Sequence, residues 1–70
     1  MRIVEINKEP VELYRILKFE NMVASGGEAK HVISEGQVTV NGAVETRKRK
    51  KIISGDIIEF GGDTIQLQLI

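Results

Sequence analysis

The sequence predicts an α+β fold, two short helices packed on a small, mainly antiparallel sheet, and three features predict it. Apolar residues recur at helical spacing twice in the first half, at Leu13, Ile16 and Leu17 and again at Ala29, Val32 and Ile33. From Gln37 the period drops to two, and turn residues punctuate short apolar runs as far as the last residue. The chain has 70 residues and no low-complexity segment or internal repeat, which points to one domain over residues 1–70.

The elements follow in order. Arg2–Ile6 alternates loosely enough to form a short edge strand. The first helix is expected to begin at Pro10, whose missing N–H has no partner in a first turn, with Glu9 and Glu12 at the positive end of the dipole. Its stripe of Leu13, Ile16 and Leu17 faces a core, Tyr14 sits beside that stripe, and Arg15 and Lys18 fall on the other side. The aromatic rings Tyr14, Phe19 and Phe60 all suit the core or its edge.

The second helix is the best signalled. Ser25-Gly26-Gly27-Glu28 has the form of a capping box, in which Ser25 Oγ accepts from the Glu28 N–H and the Glu28 carboxylate reaches back to the Ser25 N–H. Gly36 is placed to end the helix in the left-handed conformation, about eleven residues on. At 100° per residue Gly27, Lys30, His31 and Ser34 share the outward face.

Asn41-Gly42 then supplies two positive φ values for a type I′ turn between Val38-Thr39-Val40 and the returning Ala43-Val44-Glu45-Thr46. Ile52-Ile53, Ile57–Phe60 and the alternating Ile65, Leu67 and Leu69 complete the sheet. Asp56, in a Gly-Asp turn, is expected to spend its carboxylate on local hydrogen bonds.

Composition excludes several functions. Without cysteine there is no disulfide, thiolate metal site or thiol nucleophile, and with one histidine a metal site or cofactor is not expected. Charges scattered through residues 1–15 leave no secretory signal or membrane span, so a cytoplasmic, soluble protein is the expectation. His31 has Glu28 and Glu35 nearby on its helix but no specified nucleophile, and no catalytic set is assembled elsewhere. A solvent-facing helix histidine is the plainer reading.

The net charge of zero conceals a strong segregation. The balance is 0 over residues 1–24, +3 over 25–51 and −3 over 52–70. Arg47, Lys48, Arg49, Lys50 and Lys51 hold half of the ten basic residues in one run between folded segments. Five like charges repel one another and are best accommodated against something anionic. Lys30 and His31, with Arg15 and Lys18 on the first helix, are candidates to extend the run into one stripe. Gly26 and Gly27 leave the first N–H groups of the second helix unobstructed for a phosphate, or else simply permit a tight start or close helix packing. No aromatic interrupts the run, so contacts to the phosphate backbone and shape of folded RNA are expected rather than base stacking.

Ser25 followed by Ala29-Lys30, then Ile33, Gly36, Val38-Thr39-Val40-Asn41-Gly42 and Gly55-Asp56 before an apolar strand, form a long ordered pattern. Over residues 11–60 it resembles the RNA-binding domain named after ribosomal small-subunit protein four, the S-four domain. The resemblance implies an alpha-L motif, two helices packed on a small sheet, whose helices and adjoining loop bind structured RNA. By position, Ser25, Gly26, Gly27, Lys30 and His31 would form the helical part of that surface, and Arg47, Lys48 and Arg49 the loop part. Many members carry Arg directly after the capping serine; Gly26 here removes one expected phosphate contact. The chain looks like a short stand-alone bacterial member without a catalytic domain. A non-enzymatic partner of ribosomal or transfer RNA is the resulting expectation, and its rival is an adaptor that holds a protein partner.

Overall fold

The computed structural model describes residues 1–70. The elements run β1 (Arg2–Ile6), β2 (Val11–Glu12), α1 (Leu13–Phe19), α2 (Gly26–Ser34), β3 (Thr39–Val40), β4 (Ala43–Val44), β5 (Lys51–Ile52), β6 (Ile57–Phe60) and β7 (Asp63–Leu69). Five strands make one sheet in the order β1-β7-β6-β3-β4, antiparallel throughout except where β1 runs parallel to β7. The register of that parallel pair sets Val4 beside Leu67, both buried. β1 is an edge strand, as expected, and its partner is the far end of the same chain. Parallel neighbours need a long crossover, and here the whole intervening fold supplies it.

The apolar stripes meet over this sheet. Leu13, Ile16 and Leu17 of α1 and Ala29, Val32 and Ile33 of α2 pack with Val38, Val40, Ile52, Ile58, Ile65 and Leu67 in one core that contains no buried polar side chain. The two helices end alike. Gly36, with φ of 76°, follows α2 while the Gly36 and Gln37 N–H groups donate to the Ile33 and Val32 carbonyls; Asn21, with φ of 57°, does the same for α1 through Lys18 and Leu17. The turn at Asn41-Gly42 has φ of 53° and 84°, the type I′ signature that the dipeptide announces. Asn41 also donates from Nδ2 to Asp56 Oδ1 at 3.0 Å and accepts from the Ile57 N–H at 2.9 Å, so Asp56 is engaged in holding the turns, as its sequence context suggests.

Four expectations need correction. Pro10 lies outside α1: the chain first forms β2, which pairs with β5, and the helix starts only at Leu13. Glu9 accordingly serves another end, accepting from the Ser54 N–H at 2.7 Å. β5 therefore leaves the main sheet and forms a two-stranded ribbon with β2, and Ile53 beyond it is exposed. The second helix is nine residues long, shorter than its flanking caps suggest. Phe19 is no core residue, being 62% exposed at the last position of α1.

Candidate nucleic-acid interface

The α2 start is built by its own residues. Ser25 is extended, with φ of −153°, and its Oγ accepts from the Glu28 N–H at 3.1 Å. The reciprocal bond lands one residue earlier than a standard capping box: Glu28 Oε1 accepts from the Ala24 N–H at 2.6 Å, not from that of Ser25. Gly26 and Gly27 donate to no protein acceptor. Their conformation would admit a β-carbon, which at Gly26 would meet nothing within 4 Å and at Gly27 only Ser25 Oγ at 3.9 Å. Close packing against α1 is therefore not why glycine stands here. The two N–H groups are left without a protein partner.

The α1 start is built differently. Glu12 precedes it with no side-chain cap, and the basic run does the capping with its backbone. The Leu13 N–H donates to the Lys50 carbonyl at 2.9 Å and the Tyr14 N–H to the Lys48 carbonyl at 3.1 Å, so two of the four free donors of the helix are satisfied by the loop. The Lys50 N–H turns back to the Arg47 carbonyl at 3.2 Å, and Lys51 enters β5 against Glu12. The loop is fixed to the helix by main-chain bonds, which leaves its side chains free to point outward.

Tyr14 joins the two helices and the loop. Its ring, half-buried at the core edge, carries Lys30 Nζ 4.8 Å from the centroid and the Arg15 guanidinium 5.4 Å from it, while its N–H holds Lys48. Lys30, Arg15 and the basic run are thus neighbours of one residue. Lys18 stands one turn further along α1 from Tyr14 and makes no ion pair. His31 is exposed and lies 3.9 Å from Glu35, the plain helix-surface position anticipated from the sequence.

The five charges of the run are not equivalent. Arg47 donates from Nε to Glu45 Oε2 at 2.9 Å and from Nη2 to Oε1 at 3.1 Å, and its backbone N–H reaches Oε2 at 2.9 Å. Those bonds hold the Glu45 carboxyl down to about 2 and raise the guanidinium of Arg47 above its ordinary value. Arg49 approaches Glu12 Oε2 at 3.8 Å, and Arg15 Nε donates to Oε1 of the same residue at 3.1 Å. Lys48, Lys50 and Lys51 have no carboxylate partner, and Arg47, Arg49, Lys50 and Lys51 line a shallow concavity. Sequence reasoning missed Tyr14 as the junction and Glu45 and Glu12 as neutralising partners. Glu45 was findable: an acid two residues before an arginine, at the end of a strand, shares its side of the chain.

On the far side of α1 a second concavity separates the helix from β1. Ile6, Val11, Ile16, Phe19 and Ile70 supply its apolar surface, with Phe19 and Ile70 exposed.

The family model for the S4 domain matches residues 4–68, nearly the whole fold just described. The chain belongs to the S4 domain family. YbcJ of Escherichia coli is 48% identical over 68 residues, a match that spans 96% of this chain and 97% of YbcJ. The probable ribosome maturation protein RlbA of Bacillus subtilis is 36% identical over 59 residues, spanning 84% of this chain and 83% of RlbA. The solution structure of E. coli YbcJ, described as revealing an alpha-L motif involved in RNA-binding, superposes with a TM-score of 0.72 over 94% of this chain and 85% of that one. The two helices and mainly antiparallel sheet of this S4 domain correspond to that architecture. None of its helices is long and apolar enough to cross a membrane.

Proposed function

We propose that this S4 domain is a non-enzymatic RNA-binding protein that grips structured RNA, ribosomal or transfer, chiefly through the phosphate backbone. The observation that carries the reading is the junction at Tyr14, where a loop with three unpaired lysines and the Lys30 side of α2 meet on one residue. Lys30, Lys48, Lys50 and Lys51 supply the uncompensated charge. Lys18 adds a further unpaired charge, and Arg49 and Arg15 add to it in proportion to how loosely Glu12 holds them. Gly26 and Gly27, behind the Ser25 cap, offer open N–H groups to one phosphate. RNA-binding by the alpha-L motif of YbcJ supports the reading, and the name of RlbA favours a ribosomal RNA over a transfer RNA.

With about four to six phosphates neutralised, log affinity for a folded RNA hairpin should fall against log salt with a slope of about −3 to −5. Replacing Lys48, Lys50 and Lys51 by glutamine removes three charges and spares the carbonyls that cap α1. The triple variant is expected to melt like the parent, to bind at least about tenfold more weakly at low salt, and to lose about 2 to 3 from the slope. An unchanged slope would refute the phosphate account. Sequencing of RNA crosslinked to the protein in cells then identifies the target.

The exposed apolar concavity between α1 and β1 favours a second reading, an adaptor that holds a protein partner. Under that reading Phe19→Ser loses the partner while the triple glutamine variant keeps it.

A further inference from the structure

Three lysines of the basic run carry free charge, whereas Arg47 is already neutralised, which makes it a poor phosphate ligand and a suitable reader of something else. Glu45 is the cause. Its side chain is only 13% exposed, its backbone N–H is anchored to the Val38 carbonyl at 2.9 Å, and its carboxylate grips one edge of the guanidinium through Nε and Nη2. The guanidinium has five N–H donors in one plane. Two are spent on Glu45. Both hydrogens of Nη1 and the second hydrogen of Nη2 make no bond, and the side chain is 70% exposed, so the outer Nη1/Nη2 edge projects as a flat pair of donors in fixed orientation.

That edge matches two adjacent acceptors in one plane. Guanine offers O6 and N7 in that arrangement and adenine sets a donor beside N7; an unpaired cytosine also offers two adjacent acceptors, O2 and N3, so cytosine enrichment is the competing outcome of the test. A phosphate also accepts two hydrogen bonds, but the neutral Arg47–Glu45 pair has no net charge to draw one in, and Lys48, Lys50 and Lys51 stand close by with theirs unspent. We propose that Arg47, held in place by Glu45, reads O6 and N7 of an unpaired guanine presented beside the lysine-held backbone. Arg47 makes the contact and Glu45 is a positioning residue. The proposal rests on the RNA-binding reading above, and it divides the run into lysines that hold and one arginine that selects. In A-form helices the major groove is too deep and narrow for side chains, so the guanine has to lie in a loop, bulge or end.

The probe is an RNA hairpin whose six-nucleotide loop is randomised, with the bound fraction sequenced for the full-length protein and for Arg47→Lys and Glu45→Gln. The parent is expected to enrich guanine at one loop position. In the selected hairpin, 7-deazaguanosine at that position, which lacks N7, should cost about tenfold in affinity, and inosine, which keeps O6 and N7, should bind like guanosine. Arg47→Lys retains the charge and loses the fork; Glu45→Gln retains the size and loosens it. Both variants should lose the guanine enrichment. Equal base profiles for the three proteins, a parent without guanine enrichment, or tolerance of 7-deazaguanosine would overturn the proposal and leave the RNA-binding reading standing. Loss of enrichment in Arg47→Lys alone would overturn the role of Glu45. A parent that fails to bind the library at all would sink the RNA-binding reading and this inference with it.

Discussion

The two helices of this small protein begin in opposite ways. α2 is capped by its own Ser25 and leaves the Gly26 and Gly27 N–H groups open, whereas α1 has no side-chain cap and takes the carbonyls of Lys48 and Lys50 onto its Leu13 and Tyr14 N–H groups. One helix start leaves two N–H groups without a protein partner, and the other is closed by the backbone of the most basic segment in the chain. The difference explains how a run of five like charges stays ordered. Its main chain is consumed by the helix and by pairing of β5 with β2, so the charges are carried on a fixed ledge rather than on a mobile loop.

Breaking the closed start should have the largest effect. Ile52 is fully buried and sits on β5, where it secures the end of the run to the core. Ile52→Ala is expected to destabilise the fold by about 2–4 kcal/mol through lost burial and the cavity left behind, read by urea unfolding. Amide exchange should show Leu13 and Tyr14 losing protection before Ala29 and Ile33, because only the first pair depends on the loop. Equal loss in both helices would mean that the loop is not what holds the α1 start. At the open start the expected effect is smaller: Ser25→Ala removes the bond to the Glu28 N–H and should cost about 1 kcal/mol, with protection at the beginning of α1 unchanged.

These two starts also mark how far the sequence could be read. Everything that defines α2 is local: the Ser25 cap lies three residues from its partner, the stripe repeats within nine residues, and Gly36 closes the helix with a conformation that its own lack of a side chain permits. The Asn41-Gly42 turn is legible for the same reason. The start of α1 is not, because its caps are main-chain carbonyls from a distant segment, and a carbonyl leaves no trace in residue identity. Pro10 and Glu12 imitate helix-start signals convincingly, yet tertiary pairing with β5 overrides them. That Phe19 lies outside the core was not legible, because helical spacing tells which residues share a face, not where the neighbouring cover ends; Phe19 borders the open concavity between α1 and β1 instead. Within the candidate interface, the basic residues were countable but their compensation was not. Glu45 and Glu12 turn a run of five charges into three free lysines, one loosely held arginine and one locked arginine. That distinction lives in side-chain geometry.

The finest test separates stability from binding at the open start. Gly26 has room for a methyl group and no positive φ, so Gly26→Ala relieves the entropy cost of glycine without strain and should stabilise the fold by about 0.4–1 kcal/mol. If a phosphate reaches the Gly26 and Gly27 N–H groups across the open space beside Gly26, the methyl group obstructs it. A hydrogen bond to a charged acceptor is worth about 1.5–3 kcal/mol, so losing part of one should weaken binding of a folded RNA hairpin by up to about tenfold. Stability and affinity are then expected to move in opposite directions, a result that no loss of folding can imitate. Gly27→Ala, whose β-carbon would make only an ordinary 3.9 Å contact with Ser25 Oγ, provides the matched comparison. If both variants are more stable and bind RNA as the parent does, the open start is only a permissive way to begin a helix. The lysines on the closed side would then account for the affinity by themselves.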